Sequence, residues 1–379
     1  MVANFQNTLN KDIDVWWHGN GDLTFVGTIG AGDSERMNTF DGHMFYWGDR
    51  GKGPRAVTGQ LTMQAGVDAY DISEGSRTIT RVSAGAAESS PACQDRKDMC
   101  GAAAIRGECS KNPGWMIVNC PFSCNACDLL DPKVRCDRSR LNITNTPFFA
   151  AGGLSSMFQR IFEDFGSLEP ALVHEDPWIV TFDNFLNASE ADALYHSVDN
   201  FVRSTDTGSY NKFGEAEKLV SRSRTSENAW CREGCDNNPL VQSIIQRIEA
   251  VTTVPYENFE QFQVLRYREG QYYKVHHDFG PHQVNLACGP RILTFFLYLS
   301  DVEEGGETHF PKLGIKVKPK LGRALLWPSV KDSDVNKQES LTFHEALPVI
   351  KGEKLAANAW IHLYNFHVPN LWGCTGAFD

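Results

Sequence analysis

The sequence predicts a multidomain α+β protein in which a β-barrel or jelly roll carries the functional site. Three observations lead to this fold class. Residues 1–75 alternate apolar and polar side chains in short runs, six cysteines crowd into residues 93–127, and from residue 171 onward two helical patterns lead into many strands. A chain of 379 residues is long enough to form two or three such domains.

The overall composition excludes two classes of partner. The net charge is −11 and the pI is near 5.5, and no basic stripe interrupts this acidic balance. Nucleic-acid binding proteins need such a stripe to neutralise phosphates, so we expect no nucleic-acid partner. No apolar run approaches the roughly 20 residues that cross a bilayer, so the sequence predicts no membrane span.

The first region, residues 1–75, has the pattern of a small β-sandwich. The runs "IDVWWHG", "LTFVGTIG" and "HMFYWGD" alternate in character, and Gly-Asn-Gly-Asp and Gly-Ala-Gly-Asp separate them as turns. Residues 76–92 are small and polar, which is typical of a linker.

The second region, residues 93–127, contains the six clustered cysteines. Six cysteines allow fifteen disulfide pairings, and spacing alone does not select one. Zinc binding is the alternative, because the gaps in Cys120-x3-Cys124-x2-Cys127 suit metal ligands. Five cysteines lie outside the cluster. Cys231 and Cys235 are close enough to bridge, whereas a pairing of Cys288 with Cys374 would leave Cys136 single.

The cysteine density also predicts a cellular compartment. Disulfide modules form in oxidising surroundings, and the sequons at Asn142 and Asn187 agree with passage through the secretory pathway. We therefore expect the endoplasmic reticulum or secretory pathway, with a signal segment that is not present in this chain. A cytoplasmic protein with reduced cysteines is the alternative.

The remaining chain divides into a connecting segment, residues 128–170, and a large region, residues 171–379. The segment is irregular except for an amphipathic helix predicted around "SSMFQRIFEDF". In the large region, "SEADALYHSVDNFV" and "NPLVQSIIQRIEAVT" space their apolar residues as helices do. Strand patterns follow in "FEQFQVLRY", "RILTFFLYLS", "GIKVKPK", "RALLWPS" and "LAANAWIHLYNF".

A metal site is predicted in the stretch "QYYKVHHDFG". His276 and Asp278 lie two positions apart and would share one face of a strand, while His277 would face the other side and pack. His344 is the best third ligand. Two histidines and a carboxylate form a facial triad that leaves positions open on Fe(II), although zinc hydrolases use the same ligand types.

Lys354 lies in an otherwise apolar strand. A buried ammonium group is costly unless it meets a carboxylate. The distal carboxylate of 2-oxoglutarate is a suitable partner, since the 2-oxo acid end of that molecule chelates iron.

Residues 175–367 resemble the catalytic domain of prolyl 4-hydroxylases, which has a double-stranded β-helix (jelly roll) fold with flanking helices. The similarity is carried by "SRTSENAW", "YENFEQFQVLRYREGQYYKVHHDF", "RILTFFLYLSDVEEGGETHFP" and "FHEALPVIKGEKLAANAWIHLY". The resemblance implies iron ligands at His276, Asp278 and His344, and 2-oxoglutarate ligands at Lys354, Tyr267 and Thr294. It further implies aromatic residues near the iron and the substrate proline at Tyr273 and Trp360, and peptide contacts at Arg224, Ser226 and Glu260.

The activity implied by this resemblance is 4-hydroxylation of proline in a proline-rich peptide or protein, coupled to oxidative decarboxylation of 2-oxoglutarate. Its cofactors would be Fe(II), 2-oxoglutarate, O2 and ascorbate. Segment 203–222, polar and glycine-containing, would act as a mobile lid that selects the substrate. Two alternatives remain: a dioxygenase of this fold acting on another residue or a small molecule, and a non-catalytic hydroxyproline- or peptide-binding protein.

The cysteine cluster resembles a ShKT module, through "GECSKNPGWMIVNCPFSC" and the final "NAC". This resemblance implies the pairs Cys93–Cys127, Cys100–Cys120 and Cys109–Cys124, and an accessory role in binding a substrate or partner. So small a module needs such staples because its core is tiny.

Residues 1–75 resemble the β-domain of the von Hippel–Lindau tumour-suppressor protein, through an Asn-rich first strand, a Trp before an x-Gly turn, and "NTFDGHMF". The resemblance implies a hydroxyproline pocket at Trp16, Thr39 and His43, with Val26 and Phe45 departing from the family pattern. An aromatic wall could hold the ring while a hydroxyl and an imidazole bond its 4-OH. The alternative is that these aromatic residues only fill the sandwich core.

Overall fold

The computed structural model describes residues 2–19, 22–39, 43–63, 69–73, 79–81, 93–210, 216–221, 223–232 and 234–376. The chain divides into two compact units. The first comprises Met1–Arg135 with Leu371–Gly373, and the second comprises Cys136–Asn370 with Cys374–Asp379. The fold class is confirmed: it is α+β, with a sheet-rich region of the jelly-roll type and a disulfide-rich module.

The first unit begins with two four-stranded sheets. Their strands are β1 (Val2–Asn7), β2 (Ile13–Gly19), β3 (Asp22–Ile29), β4 (Ser34–Asn38), β5 (Met44–Asp49), β6 (Val57–Thr62), β7 (Ala69–Ile72) and β8 (Ile79–Arg81). The strand orders are β4-β1-β7-β8 and β3-β2-β5-β6. Alternate residues such as Phe5, Val15, Phe45 and Tyr70 point into one shared core, as the period of two requires.

The β-region extends further than predicted. Ile79–Arg81 pairs antiparallel with β7, so these three residues belong to a sheet rather than to the linker predicted at 76–92. The rest of that predicted linker lies outside the described residues.

The cysteine module is helical and has almost no hydrophobic core. Its helices are α1 (Cys100–Ile105), α2 (Glu108–Lys111) and α3 (Pro113–Asn119), and α4 (Pro132–Arg135) follows. The disulfides Cys93–Cys127, Cys100–Cys120 and Cys109–Cys124 confirm the predicted pairing. These six cysteines are therefore disulfide-bonded and are not zinc ligands. The buried cluster beneath them contains only Cys100, Ala103, Met116 and Cys120.

The second unit contains the jelly roll. Its first strands are β9 (Pro170–Glu175), β10 (Trp178–Phe182), β11 (Val202–Arg203), β12 (Thr205–Tyr210), β13 (Ala216–Val220), β14 (Glu227–Trp230), β15 (Gln263–Tyr267), β16 (Tyr273–His276) and β17 (Arg291–Tyr298). The later strands are β18 (Glu304–Gly305), β19 (Thr308–Phe310), β20 (Ile315–Val317), β21 (Ala324–Pro328), β22 (Val330–Lys331), β23 (Asp334–Gln338), β24 (His344–Ala346), β25 (Val349–Lys351) and β26 (Lys354–His362).

Two sheets of this unit position the site. The larger has eight strands in the order β11-β14-β15-β26-β17-β21-β10-β9, and the smaller has four in the order β16-β24-β19-β20. Strands β12 and β13 pair as a hairpin within the predicted lid segment, of which residues 211–215 and 222 lie outside the described residues.

The helices of the second unit are α5 (Gly153–Asp164), α6 (Ala188–His196), α7 (Pro239–Thr252) and α8 (His367–Leu371). Asn187 caps α6 by accepting from the Glu190 N–H, and Asn238 caps α7. Helix α7 buries Val241, Ile244 and Ile248 at helical spacing. In the described part of the chain, no helix is both long and apolar enough to cross a membrane.

The segment predicted as a connector is part of the jelly-roll unit. Helix α5 confirms the predicted amphipathic pattern, and its Leu154, Phe158 and Ile161 join the main core. Arg138 donates to the carbonyl oxygens of Leu286 and Ala287. The unit therefore begins near residue 136, well before the predicted boundary at 171.

The isolated cysteines pair differently from one expectation. Cys231–Cys235 is a disulfide, as predicted. Cys374, however, pairs with Cys136 rather than with Cys288, which is buried and free. The correction has a physical reason: the folded segment 136–170 brings Cys136 to a Cα distance of 5.4 Å from Cys374, which is suitable for a bridge.

Candidate active site

Three predicted metal ligands meet at the paired strands β16 and β24. His276 lies opposite His344 in the register of these strands. One ligand atom from each of His276, Asp278 and His344 lies within 4.8 Å of the other two. The prediction that Asp278 shares a strand with His276 is wrong, because β16 ends at His276 and Asp278 follows in a bend. The bend turns the carboxylate toward the imidazoles.

Both triad imidazoles are oriented by main-chain carbonyl groups. His276 Nδ1 lies 2.8 Å from the Lys274 carbonyl oxygen, and His344 Nδ1 lies 3.0 Å from that of Thr342. A carbonyl oxygen only accepts, so each Nδ1 carries the proton and each Nε2 keeps its lone pair for a metal.

The charge state of the triad also suits a divalent cation. Burial, reinforced by His344, lowers the pKa of His276 to about 3, so this imidazole is neutral at physiological pH. Burial opposes ionisation of Asp278, but His344 and His276 outweigh it and lower the pKa of the carboxyl group to about 2. A neutral imidazole and an ionised carboxylate bind metal without first releasing protons.

His277, between the ligands, has the packing role that was predicted. Its Nε2 lies 2.8 Å from the Glu339 carbonyl oxygen, and its ring contacts Phe343.

Lys354 is fully buried on β26, opposite Tyr267 on β15. Its Nζ donates to the Gly306 carbonyl oxygen at 2.8 Å and lies over the rings of Tyr267, Phe296 and Tyr298. Burial lowers the pKa of the ammonium group to about 7, against the smaller opposing effect of the Glu307 charge. An ammonium group in such surroundings calls for an anionic ligand.

Two hydroxyl groups near Lys354 were not predicted. Tyr298 lies under the Lys354 ammonium group, and its hydroxyl donates to Thr308 Oγ1 at 2.7 Å. Thr308 lines the same cavity as the triad. Thr308 could have been found from the sequence, since it lies two residues after Gly306, whose carbonyl group accepts from Lys354.

Thr294, predicted to bond 2-oxoglutarate, contacts a residue of the triad. Its Oγ1 donates to Asp278 Oδ2 at 2.7 Å. The single hydroxyl proton is directed at a predicted metal ligand, and the predicted contact with 2-oxoglutarate stays a prediction.

A cavity of about 230 Å³ is lined by the three triad residues and by Tyr267 and Thr308. Tyr273 and Trp360, the predicted aromatic neighbours of the iron and the substrate, both line it. The Tyr273 ring stacks on His276 with centroids 3.5 Å apart. Trp360 Nε1 is buried without a hydrogen-bond partner among the described residues.

Arg224 also lines the cavity, as its predicted peptide-contacting role requires. Its guanidinium group donates to Gln263 Oε1 and Ser226 Oγ. Ser226 itself is fully buried, and its hydroxyl also bonds that of Ser204. Ser226 is therefore not exposed for the predicted substrate contact. Its hydroxyl oxygen instead accepts a hydrogen bond from Arg224 Nε.

Glu260 was predicted to contact the peptide but is buried in an ion-pair network. It makes a bidentate contact with Arg291 and accepts from His362 Nε2 at 2.8 Å. Burial alone would raise the pKa of Glu260, yet Arg291 and His362 lower it to about 2. With both carboxylate oxygens engaged, Glu260 positions Arg291, which lines the cavity 3.8 Å from the Trp360 ring centroid.

Two of the three side chains predicted for a hydroxyproline pocket lie together in the first unit. Thr39 Oγ1 and His43 Nδ1 are 3.3 Å apart, and both side chains are buried. The ring next to His43 is Trp17, at a centroid distance of 5.3 Å, and not Trp16. Strand alternation explains the correction: Trp16 contacts Phe25, whereas Trp17 packs against the sandwich core.

Comparisons with known proteins agree with this geometry. Residues 262–362 match the 2OG-Fe(II) oxygenase superfamily, and residues 92–127 match the ShK domain-like family. The chain is 37% identical to prolyl 4-hydroxylase 2 of Arabidopsis thaliana over 217 residues, which is 51% of this chain and 70% of that protein. It is 34% identical to prolyl 4-hydroxylase 5 of the same organism over 51% of this chain and 71% of that protein.

The chain belongs to the prolyl 4-hydroxylase family.

A solved structure also matches. It is the viral collagen prolyl hydroxylase of Paramecium Bursaria Chlorella virus-1 in complex with 2OG, which is 32% identical, covers 50% of this chain and 98% of its own, and has a TM-score of 0.38. The predicted enzyme class, an Fe(II)/2-oxoglutarate-dependent dioxygenase, is confirmed by family membership.

The cofactors follow from the family and the donor set. Two imidazoles and a carboxylate suit Fe(II), and the buried Lys354 suits a carboxylate of 2-oxoglutarate. The resemblance of residues 1–75 to the von Hippel–Lindau β-domain stays a prediction.

Proposed function

We propose that this protein is a peptidyl-prolyl 4-hydroxylase that acts on a proline-rich peptide or protein. The observation that carries the proposal is the placement of the His-Asp-His triad and Lys354 around the same aromatic side chains. Tyr267 and Phe296 line the cavity of the triad, and Lys354 Nζ lies 5.4 Å and 5.3 Å from their ring centroids.

When bound, Fe(II) with 2-oxoglutarate and O2 supplies the oxidation that replaces hydrogen at proline C4 by hydroxyl, with succinate and CO2 as co-products. Ascorbate would serve to keep the iron reduced. The protein binds, orients and excludes water.

Each end of the cavity has a separate task. Lys354 pairs with the distal carboxylate of 2-oxoglutarate, and the nearby hydroxyls of Tyr267 and Thr308 are placed to bond it. The triad holds the metal at the other end. One bound molecule spanning both groups is thereby fixed in position before the peptide arrives.

The mouth of the cavity suits a proline ring in an extended peptide. Tyr273, Trp230 and Trp360 supply aromatic walls, and the Trp230 and Trp360 rings are 6.2 Å apart. Arg224 and Arg291 present N–H donors to peptide carbonyl groups. A proline-rich chain has few N–H groups of its own, so a site rich in donors matches its unpaired carbonyls.

The test is succinate release by the purified full chain with Fe(II), ascorbate and 2-oxoglutarate, with and without poly(proline). We expect a peptide-dependent gain of one oxygen on proline by mass spectrometry, lost in His276→Ala. Succinate without peptide oxidation would move the substrate to another residue or a small molecule. Absence of turnover despite bound iron would favour a non-catalytic binding protein.

For the first unit we propose a hydroxyproline-containing ligand at Thr39, His43 and Trp17. Burial lowers the pKa of His43 to about 4, so its imidazole is neutral and can exchange a hydrogen bond with a ligand hydroxyl. Such a pocket would tether a modified chain to the same protein as the active site and raise the local concentration of its remaining prolines. Binding of a hydroxyproline peptide, but not its proline counterpart, that is lost in His43→Ala would support this role.

The ShKT module would assist as an accessory binding surface for substrate or partner, since its disulfides hold a rigid helical surface with little core.

We propose the secretory pathway as the compartment, because five disulfides require oxidising conditions to form.

In the secretory pathway, Asn142 would carry an N-linked glycan, because it is exposed in a left-handed turn at φ 54°. Asn187 is also exposed, but its Oδ1 accepts from the Glu190 N–H as the cap of α6, and we expect this hydrogen bond to hold the side chain against the helix. Expression through a secretory leader should give a glycosidase-sensitive mass shift that Asn142→Gln removes and Asn187→Gln retains. An unshifted protein would count against this compartment.

A further inference from the structure

Thr294 makes an unusual contact for a residue of a central strand. It lies on β17, is fully buried, and donates from Oγ1 to Asp278 Oδ2 at 2.7 Å. A hydrogen bond from a neutral hydroxyl to an ionised carboxylate is among the stronger polar contacts in proteins. The contact joins the eight-stranded sheet to a metal ligand.

Asp278 depends on such a contact more than the two histidines do. His276 and His344 are each oriented by a carbonyl two residues earlier in their own chain segment. Asp278 lies beyond the end of β16, and within the described residues Thr294 is the hydrogen-bond donor that reaches its carboxylate.

The backbone around Thr294 is rigid. Its cross-strand neighbours are Trp327 on β21 and Trp360 on β26, so hydrogen-bonded strands flank it on both sides. A β-branched side chain has restricted rotation about χ1, which fixes the direction of the hydroxyl. Thr294 also has one hydroxyl proton, and giving it to Asp278 leaves none for 2-oxoglutarate.

We propose that Thr294 is a positioning residue for the metal-binding carboxylate, and not a ligand of 2-oxoglutarate. The inference rests on the metal site of the proposed function. By holding Oδ2, the hydroxyl sets the plane of the Asp278 carboxylate and leaves its other lone pairs directed toward the cation. Thr308, beside Tyr298 and Lys354, has the place at the 2-oxoglutarate end instead.

The experiment compares Thr294→Val with Thr294→Ser in the full chain. Metal affinity is measured without peptide or 2-oxoglutarate, by anaerobic titration with Fe(II) and by the visible spectrum of bound Co(II). Loss of an outer hydrogen bond to a metal ligand typically lowers affinity by about 10–100-fold. We expect a loss of that size in Thr294→Val, a changed Co(II) spectrum, and recovery of both properties in Thr294→Ser, which keeps the hydroxyl.

Thr308→Val is the matched control, since it removes the same atom at the other end of the cavity. It should raise the KM for 2-oxoglutarate and leave metal affinity unchanged, whereas Thr294→Val at saturating metal should leave that KM unchanged. Two results would overturn the proposal. One is unchanged metal affinity with a raised KM in Thr294→Val; the other is equal loss of metal affinity in Thr294→Ser, which would indicate packing. Metal binding is measured without turnover. A protein that binds metal as expected but does not hydroxylate proline would therefore refute the proposed function and not the role of Thr294.

Discussion

The metal triad and the buried Lys354 differ in the charge of the ligand that each would bind. At the metal end, hydrogen bonds with two carbonyl groups and with Thr294 orient the three side chains that would bind the cation. At the other end, Lys354 is a cation surrounded by aromatic rings, with one carbonyl group as its hydrogen-bond partner. The metal end is preorganised for its ligand, whereas the lysine end is destabilised until an anion binds.

The two ends would therefore gain binding free energy from different sources. A preorganised donor set contributes affinity because its ligands need not reorganise. A buried charge costs folding stability, and an incoming carboxylate recovers part of that cost as affinity.

Removing a triad ligand should eliminate metal binding and turnover together. Asp278→Ala takes away the sole carboxylate of the triad, so we expect no stoichiometric Fe(II) in the purified protein and succinate release at background. Metal analysis and succinate assay check both. His277→Gln is the matched control, because this neighbouring imidazole packs against Phe343; its loss of iron would contradict the assigned ligand set.

Removing the charge of Lys354 should raise the stability of the unliganded protein and lower its affinity for 2-oxoglutarate. In Lys354→Met the apolar stem remains, so the unliganded protein should melt a few degrees higher as the desolvation cost disappears. Affinity for 2-oxoglutarate should fall by about 10–100-fold, since charge-assisted hydrogen bonds contribute about 1.5–3 kcal/mol. Calorimetry measures both. A variant that melts lower than the parent protein would show that Lys354 stabilises the unliganded fold.

The pH dependence of 2-oxoglutarate binding follows from the same residue. Burial lowers the pKa of Lys354 from 10.5 to about 7, so the free protein loses this proton as pH rises through 7. The unfolded chain keeps it to about 10.5, so Lys354 costs the most stability below pH 7, and this cost falls gradually as pH rises from 7 to about 10.5. Since 2-oxoglutarate binds the charged form, its affinity should fall above pH 7, and titration at pH 6.5 and 8.5 measures the slope. Lys354→Met should lose the dependence; an unchanged slope would assign it to another group.

The smallest effect should come from the second hydroxyl at the lysine end. Tyr298→Phe removes the donor to Thr308 and keeps the ring under Lys354. One neutral hydrogen bond contributes about 0.5–1.5 kcal/mol, so the KM for 2-oxoglutarate should rise by roughly 2–10-fold. Steady-state kinetics at saturating iron checks this value. A larger change in metal affinity than in KM would contradict the separation of the two ends.

The features that could be predicted from sequence are those with a local or strongly patterned signal. Helices α5 and α7 show their apolar spacing directly, and the resemblance to known families brought His276, Asp278 and His344 together. The same resemblance could not give the orientation of each side chain. Glu260 and Ser226 were assigned to the peptide, yet burial turns both inward, where their oxygens bond Arg291 and Arg224.

The remaining misses depend on distant packing. Cys136 and Cys374 are separated by 238 residues, and only the folded segment before the jelly roll brings them together. Thr294 reaches Asp278 from the eight-stranded sheet, a contact that spacing does not encode. Trp16 and Trp17 are adjacent, so a one-residue change in register decides which one faces His43.

The Cys136–Cys374 disulfide also gives the jelly-roll unit a mechanical property. It joins the two ends of a long stretch of chain across a Cα distance of 5.4 Å. A pulling force applied to the chain on either side of this bridge would travel through the covalent bond and bypass the hydrogen-bonded strands. The cavity should therefore keep its shape under tension that would unzip an open-ended sheet, until the bridge is reduced.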